Sequence, residues 1–420
     1  MRRWYVLTML VLIGSMQQLD RQVLSILFEP IKHEFHLSDT QLGFLSGVCY
    51  AIPYALAGIP LGALIDRVNR RNFVAILLLT WSALTSVSGF ARSSFDLAIA
   101  RIGVAAAESA NTPLSYTLIC DYFAHNARRA TALGLYMIYN PMGTLLGFVI
   151  GGAVAAVYGW RMAFFVAGVP GAILAVLFLL TVREPQRRAT DDSLTDTPEP
   201  PPSFKATLRF VFSQRSLLCL YGSMIMAAVV ASGALAWLSS FYVRVFGLSV
   251  KDAGLVIGVF FGLAGGFGGP IGGLVADRVG RKNILRVPLV AMVAVILMLL
   301  AIVGLVVVPW LPLSVALMSV AAICLFAQWG PGLSLGQKLV GTRMRGVAGS
   351  LLTVGTNFFA AVVGAQLVGI LSDLYIPWAG NESLRFAILS LAALGLLSIA
   401  GYSVALRTLR TDLERAAQVA

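Results

Sequence analysis

Charge is scarce in this chain. Of 420 residues, 12% are Asp, Glu, Lys or Arg, about half the share of a soluble globular protein. Cysteine occurs four times and histidine three times. Cys49, Cys120, Cys219 and Cys324 all lie in apolar runs without Cys-x-x-Cys spacing, so they read as small packing residues rather than disulfides or zinc ligands. His33 and His36 share a loop with no ligand cluster beside them, and no metal is expected there. The Gly-x-x-x-x-Gly-Lys-Ser/Thr phosphate loop is missing, and no polar block is large enough for a nucleotide-hydrolysing domain. No nucleophile–base pair or metal cluster converges within the apolar runs, which argues against a membrane-embedded enzyme acting on lipids. No cofactor is expected.

Apolar residues fill the space that charge leaves: 58% of the chain is hydrophobic and the mean hydropathy is +0.84. Apolar runs of bilayer-spanning length recur throughout. We expect an all-α membrane protein with twelve spans, near 5–29, 40–65, 72–91, 96–122, 129–157, 161–182, 216–244, 252–276, 284–307, 312–336, 346–372 and 384–406. The net charge of +12 would point to nucleic acid in a soluble protein; here it reports orientation, and no nucleic-acid partner is expected. Between alternate spans one face holds six basic residues, Lys32, Arg92, Arg161, Arg244, Lys251 and Arg385, whereas the other holds 23 of the 31, with both termini. The positive-inside rule then puts both termini in the cytoplasm. Met1-Arg2-Arg3 opens like a signal peptide but lacks a small-x-small cleavage site and runs on through Gln17, Gln18 and Asp20, so it is expected to stay as the first span.

The chain repeats itself at half its length. Gly62 to Asn72 carries Asp66, Arg67, Arg70 and Arg71; 211 residues on come Gly273, Asp277, Arg278, Gly280, Arg281 and Asn283. That period predicts two similar halves. The expected domains are a first six-helix bundle over 1–182, a cytoplasmic linker over 183–215, a second bundle over 216–408 and a tail over 409–420. The linker is polar and Pro-rich through Pro198-Glu199-Pro200-Pro201-Pro202 and should be flexible.

These features resemble the major facilitator superfamily along the whole chain, through the duplicated Gly-x-x-x-Asp-Arg loop and the two six-span halves. Within it the sequence is similar to the Spinster lipid transporters and their bacterial relatives. The residues carrying that likeness are Asp20-Arg21, Asp66 to Arg71 with Asn69 in place of Gly, Arg101 with Glu108, and Asp121-Tyr122-Phe123 followed by Arg128-Arg129. Ala105-Ala106-Ala107 departs from the family's usual glycines. The resemblance implies a secondary transporter in a cell's inner membrane, with lysophospholipid or sphingolipid-like cargo, working as a monomer by rocker-switch alternating access.

Four ionisable residues fall at membrane depth, where they are functional candidates by default: Asp20, Arg21, Arg101 and Glu108. Arg101 and Glu108 are seven apart and share a helix face, about 10 Å apart along the axis. Facing helices would let Asp20 pair with Arg101 and Arg21 reach Glu108. The plain alternative is a static staple between helices, which buried ion pairs make poorly. The proton affinity of a buried carboxylate depends on how near an arginine stands, so a moving arginine would couple protons to conformational change, with Asp20 and Glu108 as carriers and Arg21 and Arg101 as charge partners or headgroup ligands. Thr112, Tyr116, Tyr139 and Asn140 are expected to line the cavity on this side. Tyr221, Trp237, Gln328, Trp329, Asn357 and Phe358 are expected to line an uncharged wall on the other. A charged wall facing an aromatic one suits an amphipathic solute. The competing readings are a symporter of small organic anions and a transporter-like sensor that moves nothing. Finally, Asp66, Arg67, Arg70, Asp121, Arg128 and Arg129 are expected to form a cytoplasmic latch of weak pairs, with Asp277, Arg278 and Arg281 as a weaker second copy.

Overall fold

The computed structural model describes residues 2–65, 67–123, 128–185, 204–340 and 344–417. Among these residues the regular structure is entirely helical. The helices of the first sequence half are α1 (Arg2–Ile26), α2 (Phe28–Phe35), α3 (Asp39–Ser46), α4 (Val48–Leu64), α5 (Arg70–Ser88), α6 (Ser94–Glu108), α7 (Asn111–Tyr122), α8 (Arg129–Tyr136), α9 (Tyr139–Tyr158) and α10 (Trp160–Thr181). The second half continues with α11 (Phe204–Ser213), α12 (Arg215–Phe246), α13 (Val250–Val256), α14 (Leu263–Lys282), α15 (Val287–Val307), α16 (Leu311–Ala327), α17 (Trp329–Lys338), α18 (Arg345–Phe359), α19 (Gln366–Ala379) and α20 (Ser383–Ala417). Two π-helical turns, Ile257–Gly262 and Ala360–Ala365, join α13 to α14 and α18 to α19.

Each range expected to span is mostly helical. Among the described residues, nine stretches of helix are long and apolar enough to cross a bilayer by themselves, and the last, Val347–Arg415, holds two expected spans. Neither α1 nor the α6–α7 pair is among the nine. These are the segments with Asp20, Arg21, Arg101 and Glu108, whose charges lower hydropathy, and α6–α7 is also interrupted. Ten residues of the expected flexible linker, Phe204–Ser213, are instead the helix α11.

Proline explains where several helices break. A proline ring clashes with the carbonyl four residues back and supplies no N–H. Pro113, Pro141 and Pro331 stand four residues after Ser109, Met137 and Ala327, and α6/α7, α8/α9 and α16/α17 are interrupted at Ser109–Ala110, Met137–Ile138 and Gln328. Each interruption adjoins a candidate site residue: Glu108, Tyr139 or Gln328.

The chain clusters into two compact units. Unit 1 comprises Met1–Thr197 with Leu238–Val259, and unit 2 comprises Pro198–Trp237 with Phe260–Ala420. The end of α12 and the whole of α13 are therefore built into unit 1 although they belong to the second half of the sequence. In hydrocarbon, packing rather than water exclusion drives helix association, and small residues permit close approach. In unit 1, α1 lies so close to α9 that a Cβ on Gly143 would stand 2.5 Å from the Ser15 carbonyl oxygen. Further along, a Cβ on Gly254 would stand 2.3 Å from the Phe148 carbonyl oxygen. Trp81, Leu78, Phe123, Tyr136 and Phe178 fill the core between α1, α5, α7, α8 and α10. In unit 2, Trp237, Met298, Val295 and Tyr402 are fully buried, and the Trp237 indole N–H donates to the Ala365 carbonyl at 2.9 Å, at the end of a π-helical turn.

Candidate functional site

The site in unit 1 is assembled at the break in the fourth expected span. Glu108 ends α6, and its backbone carbonyl is taken up by Gln17 Nε2 of α1 at 3.2 Å. Gln17 Oε1 in turn accepts from Asn111 Nδ2 at the start of α7, at 2.8 Å. The interruption thus turns a backbone acceptor toward α1 and fixes the Glu108 carboxylate inside the unit, fully buried.

Three side chains surround that carboxylate. Tyr50 of α4 donates its hydroxyl to Glu108 Oε2. Arg21 Nε donates to the Tyr50 oxygen at 2.7 Å and stands 3.7 Å from Glu108 Oε2. The Arg21 guanidinium also lies 4.7 Å from the centre of the Tyr50 ring and 5.3 Å from that of Tyr54, within cation–π range. The Arg21 side chain remains 28% exposed, whereas that of Glu108 is 0% exposed. One open cation is therefore backed by a closed anion.

Asp20 and Arg101 sit beside this group and are both 2% exposed. Arg101 Nη1 donates to the backbone carbonyl of Asp20 at 3.4 Å, and its guanidinium is 5.4 Å from the centre of the Tyr50 ring. The Asp20 carboxylate takes its hydrogen bond from Thr85 of α5, at 3.0 Å. The structure therefore places Arg101 against the main chain of Asp20, with Thr85 on the carboxylate. Asp20 Oδ1, Glu108 Oε1 and Arg101 Nε have no partner among the described residues. A buried carboxylate oxygen without a donor is a position for a proton or a water molecule.

Of the other expected lining residues, Thr112, Tyr139 and Asn140 are half-buried and Tyr116 is exposed. The Tyr116, Tyr136 and Tyr139 rings pack in series, 5.5 and 4.9 Å apart. In unit 2, Trp237 and Gln328 are buried; Gln328 Oε1 accepts from the Tyr402 hydroxyl at 3.3 Å. Tyr221 is buried against Gly336, while Trp329 and Phe358 are half-buried and Asn357 is exposed.

At the basic end of unit 1, Arg70 Nη1 and Asp121 Oδ2 form an ion pair at 2.5 Å. Glu184, just past α10, accepts from the Arg70 and Arg71 backbone N–H groups at 3.0 and 2.7 Å and so caps α5. Arg129 Nη2 meets Cys120 Sγ at 3.0 Å, and Arg67 and Arg128 are exposed. Asp66 lies outside the described residues. Asp277, Arg278 and Arg281 are exposed and enter none of the ion pairs among the described residues.

The opposite end of unit 1 carries a second charged cluster. Arg244 holds both oxygens of Asp39, at 2.7 and 2.8 Å, and Glu29 at 2.9 Å. Lys32 Nζ joins Asp39 Oδ1 at 2.5 Å. In the sequence Lys32 and Arg244 mark orientation only, and nothing there singles out Glu29, Asp39, Tyr50, Tyr54, Thr85, Gln17, Asn111 or Glu184.

Comparison with known proteins agrees with this architecture. The family model of the Major Facilitator Superfamily matches residues 10–365. An MFS-type efflux pump of Mycolicibacterium smegmatis is 29% identical, across 98% of this chain and 94% of its own. The hexuronate transporter of Bacillus subtilis is 28% identical over 66% of this chain and 65% of its own. The sphingosine-1-phosphate transporter SPNS2 of Danio rerio is 28% identical over 54% of this chain and 45% of its own. The crystal structure of a bacterial homologue of the human lysosomal transporter Spinster, inward-facing and unoccupied, superposes with a TM-score of 0.87 at 25% identity, covering 98% of both chains. The chain is a multi-pass inner-membrane transporter, not an enzyme, and it belongs to the major facilitator superfamily.

Proposed function

We propose that this transporter is proton-coupled and moves an amphipathic solute with an anionic or zwitterionic headgroup, of the lysolipid or sphingolipid kind, by rocker-switch alternating access with both termini cytoplasmic. The observation that carries this reading is the pairing of a partly exposed Arg21 with a fully buried Glu108. A headgroup anion reaching Arg21 competes with Glu108 for the same guanidinium. Glu108 then keeps the Tyr50 hydrogen bond but loses its cation, and uptake of a proton neutralises it. Anion binding and proton binding are thereby linked, and the linkage is reciprocal. Asp20, with one oxygen unpartnered and Arg101 held on its main chain, is the second proton carrier. The aromatic faces of Tyr50 and Tyr54 give the headgroup site an apolar rim, which favours a solute with a hydrocarbon portion. The similarity to a sphingosine-1-phosphate transporter and to a bacterial Spinster homologue supports that cargo class.

For cargo to reach this site from either side, each end of unit 1 has to open in turn. The Arg70–Asp121 pair with the Glu184 cap serves one end, and the Arg244 cluster serves the other.

The second reading, a symporter of small organic anions, is favoured by the likeness to the hexuronate transporter. Counterflow in proteoliposomes decides between them. Labelled lysophosphatidylglycerol should exchange in wild type and resist competition by glucuronate, and the exchange should fall at least tenfold in Arg21→Gln. Exchange of labelled glucuronate, with no lysolipid exchange, would give the function to the second reading.

A further inference from the structure

Unit 2 contains an apolar crevice that the proposed transport site does not use. It is lined by Cys219, Gly222, Ser223, Ile225 and Met226 of α12, Phe359 of α18, and Leu397 and Gly401 of α20, with a volume of about 350 Å³. The space is real at Gly222, where a Cβ would meet nothing within 4 Å. Glycine inside a helix costs about 1 kcal/mol relative to alanine, so this position forgoes stability to leave room. Ser223 spends its hydroxyl on the Cys219 carbonyl, and its own carbonyl accepts from Ser398. The crevice therefore offers an occupant little to hydrogen-bond. Its rim is Leu397 and Phe359, 57% and 44% exposed, and Leu396 and Val404 extend the exposed apolar surface along α20.

The foot of the crevice is cationic. Arg215, Cys219, Gly222 and Met226 fall at i, i+4, i+7 and i+11 of α12, one helix face, so Arg215 stands one turn, about 6 Å, below Cys219. Arg215 is exposed, as is Arg407, six residues below Gly401 on α20. The two helices are tied together at this level: Ser216 N–H donates to the buried Asp412 carboxylate at 2.7 Å, and the Ser216 and Thr408 hydroxyls meet at 2.8 Å. Beside them α11 packs on α18, with Thr207 and Val211 buried and Lys205, Arg209 and Phe212 exposed. A short helix presenting cations and a phenyl ring on its free side has the form of an element lying in a membrane interface. Among the described residues, Lys205, Arg209, Arg215 and Arg407 enter no ion pair.

We infer that this crevice and its basic foot form a binding site for an acidic phospholipid of the adjoining bilayer leaflet, one acyl chain lying along Gly222 and the phosphate resting on Arg215, Lys205 and Arg209. Charge complementarity selects the acidic headgroup, and the nearly uniform apolar lining selects the chain. A lysolipid cargo shares the same chemistry, so the experiment has to separate the two sources.

The test is native mass spectrometry of the full-length protein with dioleoyl-phosphatidylglycerol, dioleoyl-phosphatidylcholine or lysophosphatidylglycerol added in turn. Wild type should retain one phosphatidylglycerol in preference to phosphatidylcholine. Lys205→Gln/Arg209→Gln/Arg215→Gln should weaken that binding on the order of a hundredfold, given the pull of each basic residue on an anionic surface. Gly222→Phe, which fills the crevice, should abolish it, and Arg21→Gln in unit 1 should leave it unchanged. Should Gly222→Phe fail to fold, a phosphatidylglycerol with a photoreactive tail should label the Cys219–Met226 segment of wild type. Equal retention of phosphatidylcholine, full binding by the triple variant or labelling elsewhere would overturn the site. Displacement of phosphatidylglycerol by equimolar lysolipid would assign the crevice to cargo and overturn it too.

Discussion

Unit 1 buries Asp20, Glu29, Asp39, Arg101 and Glu108, whereas the fully buried charged side chain among the described residues of unit 2 is Asp412, at the far end of α20. The difference lies in what the interiors of the two units are asked to do. An ionised group away from water survives only with partners. Unit 1 supplies them with Tyr50, Thr85 and Arg244, each from a different helix than the charge it serves. Unit 2 needs fewer: apart from Asp412 with Ser216, buried polar contacts such as Trp237 with Ala365 and Gln328 with Tyr402 are neutral pairs. If this contrast is right, unit 1 carries charge chemistry and unit 2 supplies shape.

The contrast is broken most forcefully at Arg244. Its removal takes a cation from both Asp39 and Glu29, which are buried, and we expect Arg244→Ala to destabilise the protein by about 3–5 kcal/mol. Thermal unfolding of purified protein reads this directly; a melting temperature within a degree or two of wild type would show the cluster to be inert.

Next in size, Tyr50→Phe removes the donor to Glu108 and the acceptor for Arg21 in one step. The buried groups it leaves cost about 1–3 kcal/mol each, and transport should fall by at least tenfold in vesicle assays. The matched change in unit 2, Gln328→Leu, takes the acceptor from the buried Tyr402 hydroxyl and should cost about 1–3 kcal/mol of stability with a smaller effect on transport. An equal transport defect in both variants would erase the distinction between the units.

The smallest effect is expected at Glu34. Hydrogen bonds from Arg161 and then Trp160 hold its carboxyl below the usual glutamate range. Such a group contributes stability above its ordinary pKa and loses it as pH falls through the lowered one. Both partners of the Arg161 pair are about 40% exposed, so solvent screening keeps the contribution below about 1 kcal/mol. Glu34→Gln should flatten the acid limb of the stability profile slightly and leave the neutral region unchanged; a large shift at pH 7 would mean that the outer charges matter more than exposure allows.

How far the sequence was legible follows from the same scarcity of charge. Asp20, Arg21, Arg101 and Glu108 stood out because ionisable residues are rare in apolar runs, and the structure gathers all four in unit 1. Their neutral partners did not stand out, since Tyr50, Thr85 and Gln17 look like any polar residue in a span and helix facing is not written in spacing. Arg101 was matched to the Asp20 carboxylate; the folded chain gives that carboxylate to Thr85 and offers Arg101 the main chain instead. Arg244 and Asp39 are 205 residues apart, too distant for any local pattern. Pro113, Pro141 and Pro331 were a usable signal for the breaks that seat Glu108, Tyr139 and Gln328.

Proton movement on cargo binding tests the central claim most directly. Purified protein in weakly buffered detergent solution, with a pH indicator, should take up protons when lysophosphatidylglycerol is added. Glu108→Gln should abolish that uptake while retaining measurable binding, and Asp20→Asn should reduce it. Wild-type binding with no proton uptake, or uptake undiminished in Glu108→Gln, would contradict the account.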